Sequence, residues 1–147
     1  MKIPISTLVL VYTRDLLVLL LERADYPGHW QSVTGSQEAG ETLLQTAVRE
    51  LAEETGIDAK AHGGLDAWDV SNVYAIFPRW RYRYPPGVTH NTEHVFALEL
   101  PSAVPVTLAP DEHLRFAWLP WQEAAARCFS WSNRDAILML PERVAAR

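Results

Sequence analysis

Two apolar runs open the chain. Ile5 to Tyr12 (ISTLVLVY) and Leu16 to Leu21 (LLVLLL) are rich in leucine and β-branched residues and are separated only by Thr13, Arg14 and Asp15. The pattern predicts two well-buried strands joined as a hairpin. Asp25 to Gly28 (DYPG) predicts a turn, after which His29 to Thr34 leads into a loop at Gly35. From Thr42 to Thr55 the period changes: Leu44, Ala47, Val48 and Leu51 recur at i, i+3, i+4 and i+7, the spacing of one apolar face on a helix. Thr42 with Gln45 three residues later predicts a capping box, and Gly56 stands where a left-handed cap would end the helix.

Leu65 to Tyr84 carries no helical period and is rich in aromatic and β-branched residues, which predicts one or two strands around Val70 to Phe77. In Arg79 to Tyr84 (RWRYRY), strand alternation would set three arginines on one face and three aromatics on the other. Tyr84-Pro85-Pro86-Gly87 must leave the sheet, because proline cannot serve an interior ladder. Thr92 to Leu100 predicts the next strand, Pro101 to Pro110 a loop, and Leu114 to Leu119 another strand. Trp121 to Cys128 predicts a short helix. Ser132, with Asp135 three residues on, predicts the cap of a last helix whose apolar face is Ala136 to Leu140. Periodicity alone therefore gives a mixture of α and β elements.

Composition narrows the class. A chain of 147 residues, 48% hydrophobic and 21% charged, predicts one domain with a sizeable core. The net charge of -5 argues against general nucleic-acid binding, so an anionic substrate would need a metal and local arginines to hold it. The single cysteine, Cys128, permits no internal disulfide and reads as a small buried apolar residue. The longest apolar run is too short to cross a bilayer and no signal sequence opens the chain, which predicts a soluble, cytoplasmic protein without a membrane partner. The five histidines, His29, His62, His90, His94 and His113, form no zinc-ligand pair on a helix.

The chemistry concentrates on the first helix. At about 100° per residue, Glu50, Glu53 and Glu54 fall within an arc of roughly 100° beside the apolar stripe. Like charges at i and i+4 destabilise a helix by roughly 0.2 to 0.5 kcal/mol, so a cation is expected. Carboxylate oxygens suit Mg2+, or Mn2+, shared with substrate phosphates. An acidic helix face is usually no more than a solvated surface. Here a longer pattern argues otherwise: Gly35, Glu41, Arg49-Glu50-Leu51, Glu53-Glu54 and Gly56-Ile57 stand at fixed spacings. A phosphate-binding P-loop would need Lys after Gly40, where Glu41 stands, and no calcium loop is present.

That pattern resembles the Nudix hydrolase box at every specified position. The resemblance implies an α+β Nudix fold, a mixed β-sheet sandwiched between helices, and metal-dependent hydrolysis of a small-molecule triphosphate. Glu50 and Glu54 would be metal ligands, Glu53 a supporting ligand or base, Arg49 part of the catalytic box, and Glu112 the distal carboxylate that completes the metal site or takes a proton. Stretches outside the box, among them Trp30 to Ser36, Arg83-Tyr84 with Pro86 to Thr89, Asn91-Thr92-Glu93, Glu112-His113-Leu114 and Ser130 to Arg134, resemble the bacterial branch acting on dihydroneopterin triphosphate in folate synthesis, with pyrophosphate and a monophosphate as products. By that likeness Lys2, Arg23, Thr34, Tyr74, Ala75, Ile76, Phe77, His113 and Ser130 would line the substrate pocket, although Ala75 stands where a polar residue is frequent.

From the residues themselves, the arginine stretch reads equally as an edge strand with a solvated face or as a phosphate clamp, for which Arg81 and Arg83 are candidates and which the acidic net charge favours over a nucleic-acid platform. Two rival functions are a nucleotide-pool pyrophosphohydrolase built on the same metal centre and a catalytically silent nucleotide-binding domain. The latter would be expected to lose box carboxylates, and none is missing. A homodimer is compatible with a chain of this size.

Overall fold

The two N-terminal apolar runs pair with each other and become the middle of the sheet. In the computed structural model, which describes residues 1–147, strands β1 (Ile5–Thr13) and β2 (Leu17–Arg23) are antiparallel, with Tyr12 opposite Val18. Leu16, expected in the second strand, turns the chain instead, with φ at 60° and its N–H donating to the Thr13 carbonyl at 2.8 Å. Its side chain packs against the core, which holds a leucine in a conformation that few non-glycine residues adopt.

The sheet has seven strands. Its continuous order is β3 (Trp30–Gln31), β2, β1, β6 (His90–Leu100), β5 (Asp66–Ala75), with β4 (Val33–Ser36) also paired to β1 and β7 (His113–Pro120) to β2. β1 and β6 are parallel and the other pairs antiparallel, so the sheet is mixed. Along β1, Leu8, Leu10 and Tyr12 enter one core cluster with α2 (Trp121–Arg127), α3 (Trp131–Leu138) and α4 (Leu140–Ala145), while Val9 and Val11 enter a second with α1 (Leu43–Thr55). Helices cover both faces, which is why the strand reads as an unbroken apolar run. No helix is long and apolar enough to cross a membrane.

Helix α1 has both ends predicted from its sequence. Thr42 and Gln45 form a reciprocal capping box, and Gly56 ends the helix at φ 76°. Three of the four expected stripe positions, Ala47, Val48 and Leu51, do face inward. Leu44 is half exposed, Leu43 packs on the core instead, and the buried line runs through Ala47 and Leu51 to Glu54. A carboxylate therefore ends the apolar face.

Four further expectations change. Gly35 lies in β4, opposite Thr7 of β1, and not in a loop. Strand β5 stops at Ala75 and carries an irregularity between Ala67 and Ser71, with Asp69 at φ 55°. Residues Pro78–Arg83 form a 3-10 helix, not an alternating strand. Pro78 suits a helix start because its fixed φ and missing N–H cost nothing there. The three arginines of this segment consequently diverge: Arg79 stacks 3.8 Å over the Tyr26 ring, Arg81 donates to the Ile76 carbonyl, and Arg83 pairs with Asp25. Finally, Ser130 occupies the cap of α3 without a side-chain cap bond, Ser132 is buried in the first turn, and residues Leu140–Ala145 form a separate helix that the sequence pattern does not predict.

Candidate active site

One large cleft, about 1180 Å3, runs from the inward end of α1 across the ends of β1, β5 and β6 to the start of α3. At one end lie Glu50 and Glu54 of α1, with Glu112 from the loop before β7. Gly35 makes this packing possible, since a Cβ at that position would fall 2.0 Å from the Glu50 Cδ. A glycine is required there for close approach, because its φ is unexceptional.

Arg49 supports this end from outside. Its guanidinium donates twice to Glu41, at 2.6 and 2.9 Å, once to Glu50 at 2.7 Å, and once to the Ser36 carbonyl at 3.1 Å. Its hydrogen bonds hold the Glu41 carboxyl down at about 2. Arg49 does not line the cleft. It is a clip that fixes the Gly35 to Glu41 segment and the Glu50 side chain. Glu53, half exposed and bonded to Arg49 at 3.3 Å, also stays outside the lining.

Glu54 is 2% exposed, and its Oε1 has no hydrogen-bond partner. Burial raises its pKa well above the ordinary carboxylate range, and Glu50 and Glu112 raise it further, against an opposing hydrogen bond from the Thr34 backbone. Glu112 is shifted upward too, by burial first and then by Glu50 and Glu53. No three of these side chains form a ready cage. An orphaned oxygen among mutually repelling carboxylates nevertheless fits a hard divalent cation, above all one that shares its sphere with substrate phosphates.

Around this end stand Lys2, Arg23, Thr34, His113 and Arg83. Arg23 donates through Nε and a terminal nitrogen to Asp25, at 2.7 and 2.9 Å, and Arg83 reaches the same carboxyl at 3.0 Å, holding Asp25 ionised far below its usual range. Arg23 also donates to the Gln31 side-chain oxygen at 3.0 Å, which turns the amide nitrogen toward His113 Nε2 at 3.4 Å. His113 thus accepts at Nε2 and carries its proton on Nδ1, an atom without a partner. Burial, then Arg23, pushes its pKa down to about 4, so it is neutral, and its 3.8 Å approach to Glu54 is no ion pair. Burial likewise lowers Lys2, with Arg83 adding to the effect.

The other end is apolar and aromatic. Tyr74, Ala75, Ile76 and Phe77 line it together with Phe129, Ser130 and Trp131, while Trp80 joins the two parts, its Nε1 donating to Asp25 at 3.1 Å and its ring lying 4.2 Å under the Arg23 guanidinium. Phe77 stacks on Trp80 and meets Phe129 edge-on, both near 5.5 Å. Cys128 is also here, its thiol pushed up to about 12 by burial and therefore inert.

Of the residues singled out from sequence, Lys2, Arg23, Thr34, Glu50, Glu54, Tyr74, Ala75, Ile76, Phe77, Arg83, Glu112, His113 and Ser130 meet in this cleft. Arg81, Arg49 and Glu53 do not line it. Gln31, Asp25, Trp80, Phe129 and Glu93 do, and sequence reasoning missed them. For Glu93 a signal existed: in the strand TEHVFALEL it shares a period-2 face with Val95 and Ala97, an acid at a core position.

The family model of the NUDIX domain matches residues 2–140. The chain belongs to the Nudix family. It is 48% identical over 139 residues to the dihydroneopterin triphosphate diphosphatase of Escherichia coli strain K12, covering 92% of this chain and 91% of that protein. It is 42% identical to the Haemophilus influenzae protein of the same description, over 90% of this chain and 84% of that one. The solved structure of the E. coli dihydroneopterin triphosphate pyrophosphohydrolase superposes with a TM-score of 0.88 at 47% identity, over 92% of this chain and 93% of that one. A Nudix hydrolase structure from Listeria monocytogenes, at 23% identity and a TM-score of 0.80, shares the fold.

Proposed function

We propose that this Nudix chain hydrolyses dihydroneopterin triphosphate to dihydroneopterin monophosphate and pyrophosphate, a cytoplasmic step of folate synthesis. The observation that carries the reading is a single cleft with a carboxylate and arginine end for phosphates and an aromatic end for a flat heterocycle. Relatives at 48% and 42% identity that bear this activity in their names support it.

In this reading Glu50, Glu54 and Glu112 hold Mg2+, or Mn2+, which when bound supplies neutralisation of phosphate oxygens and a lowered pKa for water. Arg23, Arg83 and Lys2 bring cationic donors to the phosphate chain, and Asp25 keeps the two guanidiniums oriented. Neutral His113 offers its Nδ1–H as a donor without adding charge. A water oxygen forms the new P–O bond as the anhydride bond breaks, and a carboxylate takes the water's proton. Glu112 is better situated for that proton than Glu53, because it lines the cleft. Most of the acceleration comes from charge neutralisation and in-line positioning of an anhydride that otherwise repels nucleophiles.

Release of pyrophosphate and orthophosphate with Mg2+, measured on dihydroneopterin triphosphate and on a panel of normal and oxidised nucleoside triphosphates, tests the assignment. The pterin should give the highest kcat/KM with pyrophosphate as product. A nucleotide that wins clearly would keep the metal chemistry and remove the pterin.

A further inference from the structure

Glu93 is a buried acid that phosphate chemistry does not use. It lies on β6 opposite Ser6 of β1, is 4% exposed, and lines the same cleft as the metal-end carboxylates. Ser132, at the start of α3, donates to its Oε1 at 2.9 Å, and the Ser130 hydroxyl sits 2.9 Å from Ser132. Since Ser132 spends its proton on Glu93, Ser130 donates to Ser132, and the chain of hydroxyls fixes the carboxyl's direction.

The surroundings are polar and prearranged. Asn91 donates to Ser6 at 2.7 Å and to the Tyr74 hydroxyl at 3.0 Å, while Asn133 and Ser32 bond each other twice, at 2.8 and 3.0 Å. Glu93 has no cationic partner. Its pKa rises to about 7 through burial, opposed only by the Ser132 hydrogen bond. A carboxyl kept solely to bond one serine would be a poor use of a core position, because its desolvation is uncompensated. It becomes useful when a ligand brings donors to it.

We propose that Glu93 reads the heterocycle of the substrate, accepting parallel hydrogen bonds from a ring N–H and the adjacent exocyclic amino group of a 2-amino-4-oxopyrimidine ring. This rests on the proposed function for the pterin, but the edge itself is shared by pterin and guanine. Paired N–H donors match a carboxylate as a guanidinium does, and the aromatic cluster of Phe77 and Phe129 lines the same cleft as Glu93. Phosphates then lie toward Arg23 and Glu54 at the other end of the same cleft. Specificity comes from leaving the buried carboxyl unpaired when a ring lacks the donors.

The test is steady-state kinetics of wild type and Glu93→Gln on dihydroneopterin triphosphate, GTP and ITP, the last lacking the 2-amino group. Glu93→Gln should raise KM for the pterin tenfold or more with kcat changed less than threefold, and should collapse any preference for GTP over ITP. Ser132→Ala, which frees the carboxyl without removing it, should raise the same KM by a smaller factor, and it decides the matter if the first variant does not fold. A pterin KM within twofold of wild type in both variants overturns the inference and leaves the pterin activity standing. Wild-type protein that ignores the pterin, yet loses a GTP over ITP preference in Glu93→Gln, refutes the pterin activity and keeps Glu93 as the reader of a guanine edge.

Discussion

The two ends of the cleft each contain a buried carboxyl with a raised pKa, for different reasons. Glu54 is raised by burial and by the neighbouring carboxylates Glu50 and Glu112, whereas Glu93 is raised by burial alone. A cation relieves the first kind of frustration. A ligand carrying N–H donors relieves the second. Conserving charge repulsion at one end and isolation at the other gives a single cleft two chemically distinct grips, and it predicts that perturbations of the two ends will separate into turnover and recognition.

Short of replacing a carboxylate itself, the largest effect comes from crowding the metal end. Gly35→Ala puts a methyl group within 2.0 Å of the Glu50 Cδ, which must move. A shift of that carboxylate by about 1 Å should lower Mg2+-dependent kcat about 100-fold, the scale of a misplaced catalytic group. Because the atoms that must give way are the far end of a flexible side chain, the cost in denaturant melts should be small beside the loss of kcat. Unchanged kcat would mean that the position of Glu50 does not matter to the reaction.

The second concerns pH and the other end. Glu93 has a folded pKa of about 7 against an ordinary 4.5, so its protonated form is favoured by folding. Its contribution is fully present below about pH 4.5 and is lost as pH rises through about 7, a change of up to about 3 kcal/mol. Urea unfolding at pH 5 and pH 8 should show wild type losing stability relative to Glu93→Gln across that window. Parallel curves for the two proteins would mean that Glu93 is not desolvated.

The smallest effect touches neither end directly. Thr42→Ala removes the capping box of α1 and should cost about 1 kcal/mol of stability while kcat stays at the wild-type value. A fall in kcat would show that the carboxylates depend on the helix start more than their packing against Gly35 implies.

How much of this could be read in advance follows from the range of the forces involved. Helix α1 was legible at both termini because caps are local: Thr42, Gln45 and Gly56 act within a turn of where they stand. Ala47, Val48 and Leu51 marked most of the inward face as well, but the exchange of Leu44 for Leu43 was not visible, since the two differ only in what the sheet offers them. The segment from Pro78 to Arg83 satisfied strand alternation on paper, yet Pro78 and the ties of Arg79 to Tyr26 and Arg83 to Asp25 favoured a 3-10 turn. Those ties bridge more than fifty residues, and no local pattern announces them. The phosphate-end carboxylates came through the box spacing. Asp25 and Phe129 stand beside Arg23 and Ser130, which the family likeness already places in the pocket, whereas Gln31 reaches the cleft only through the pairing of β3 with β2.

The central claim is that the buried carboxylate on the inward end of α1 serves the reaction and not the fold. The most direct measurement compares wild type and Glu54→Gln for Mg2+-dependent pyrophosphate release from dihydroneopterin triphosphate, with thermal unfolding run on the same samples. The account predicts a loss of about 100- to 10,000-fold in kcat/KM with Tm unchanged or raised, because Gln keeps the shape and removes a buried acid crowded by Glu50. Turnover at the wild-type level with full dependence on Mg2+ would contradict it.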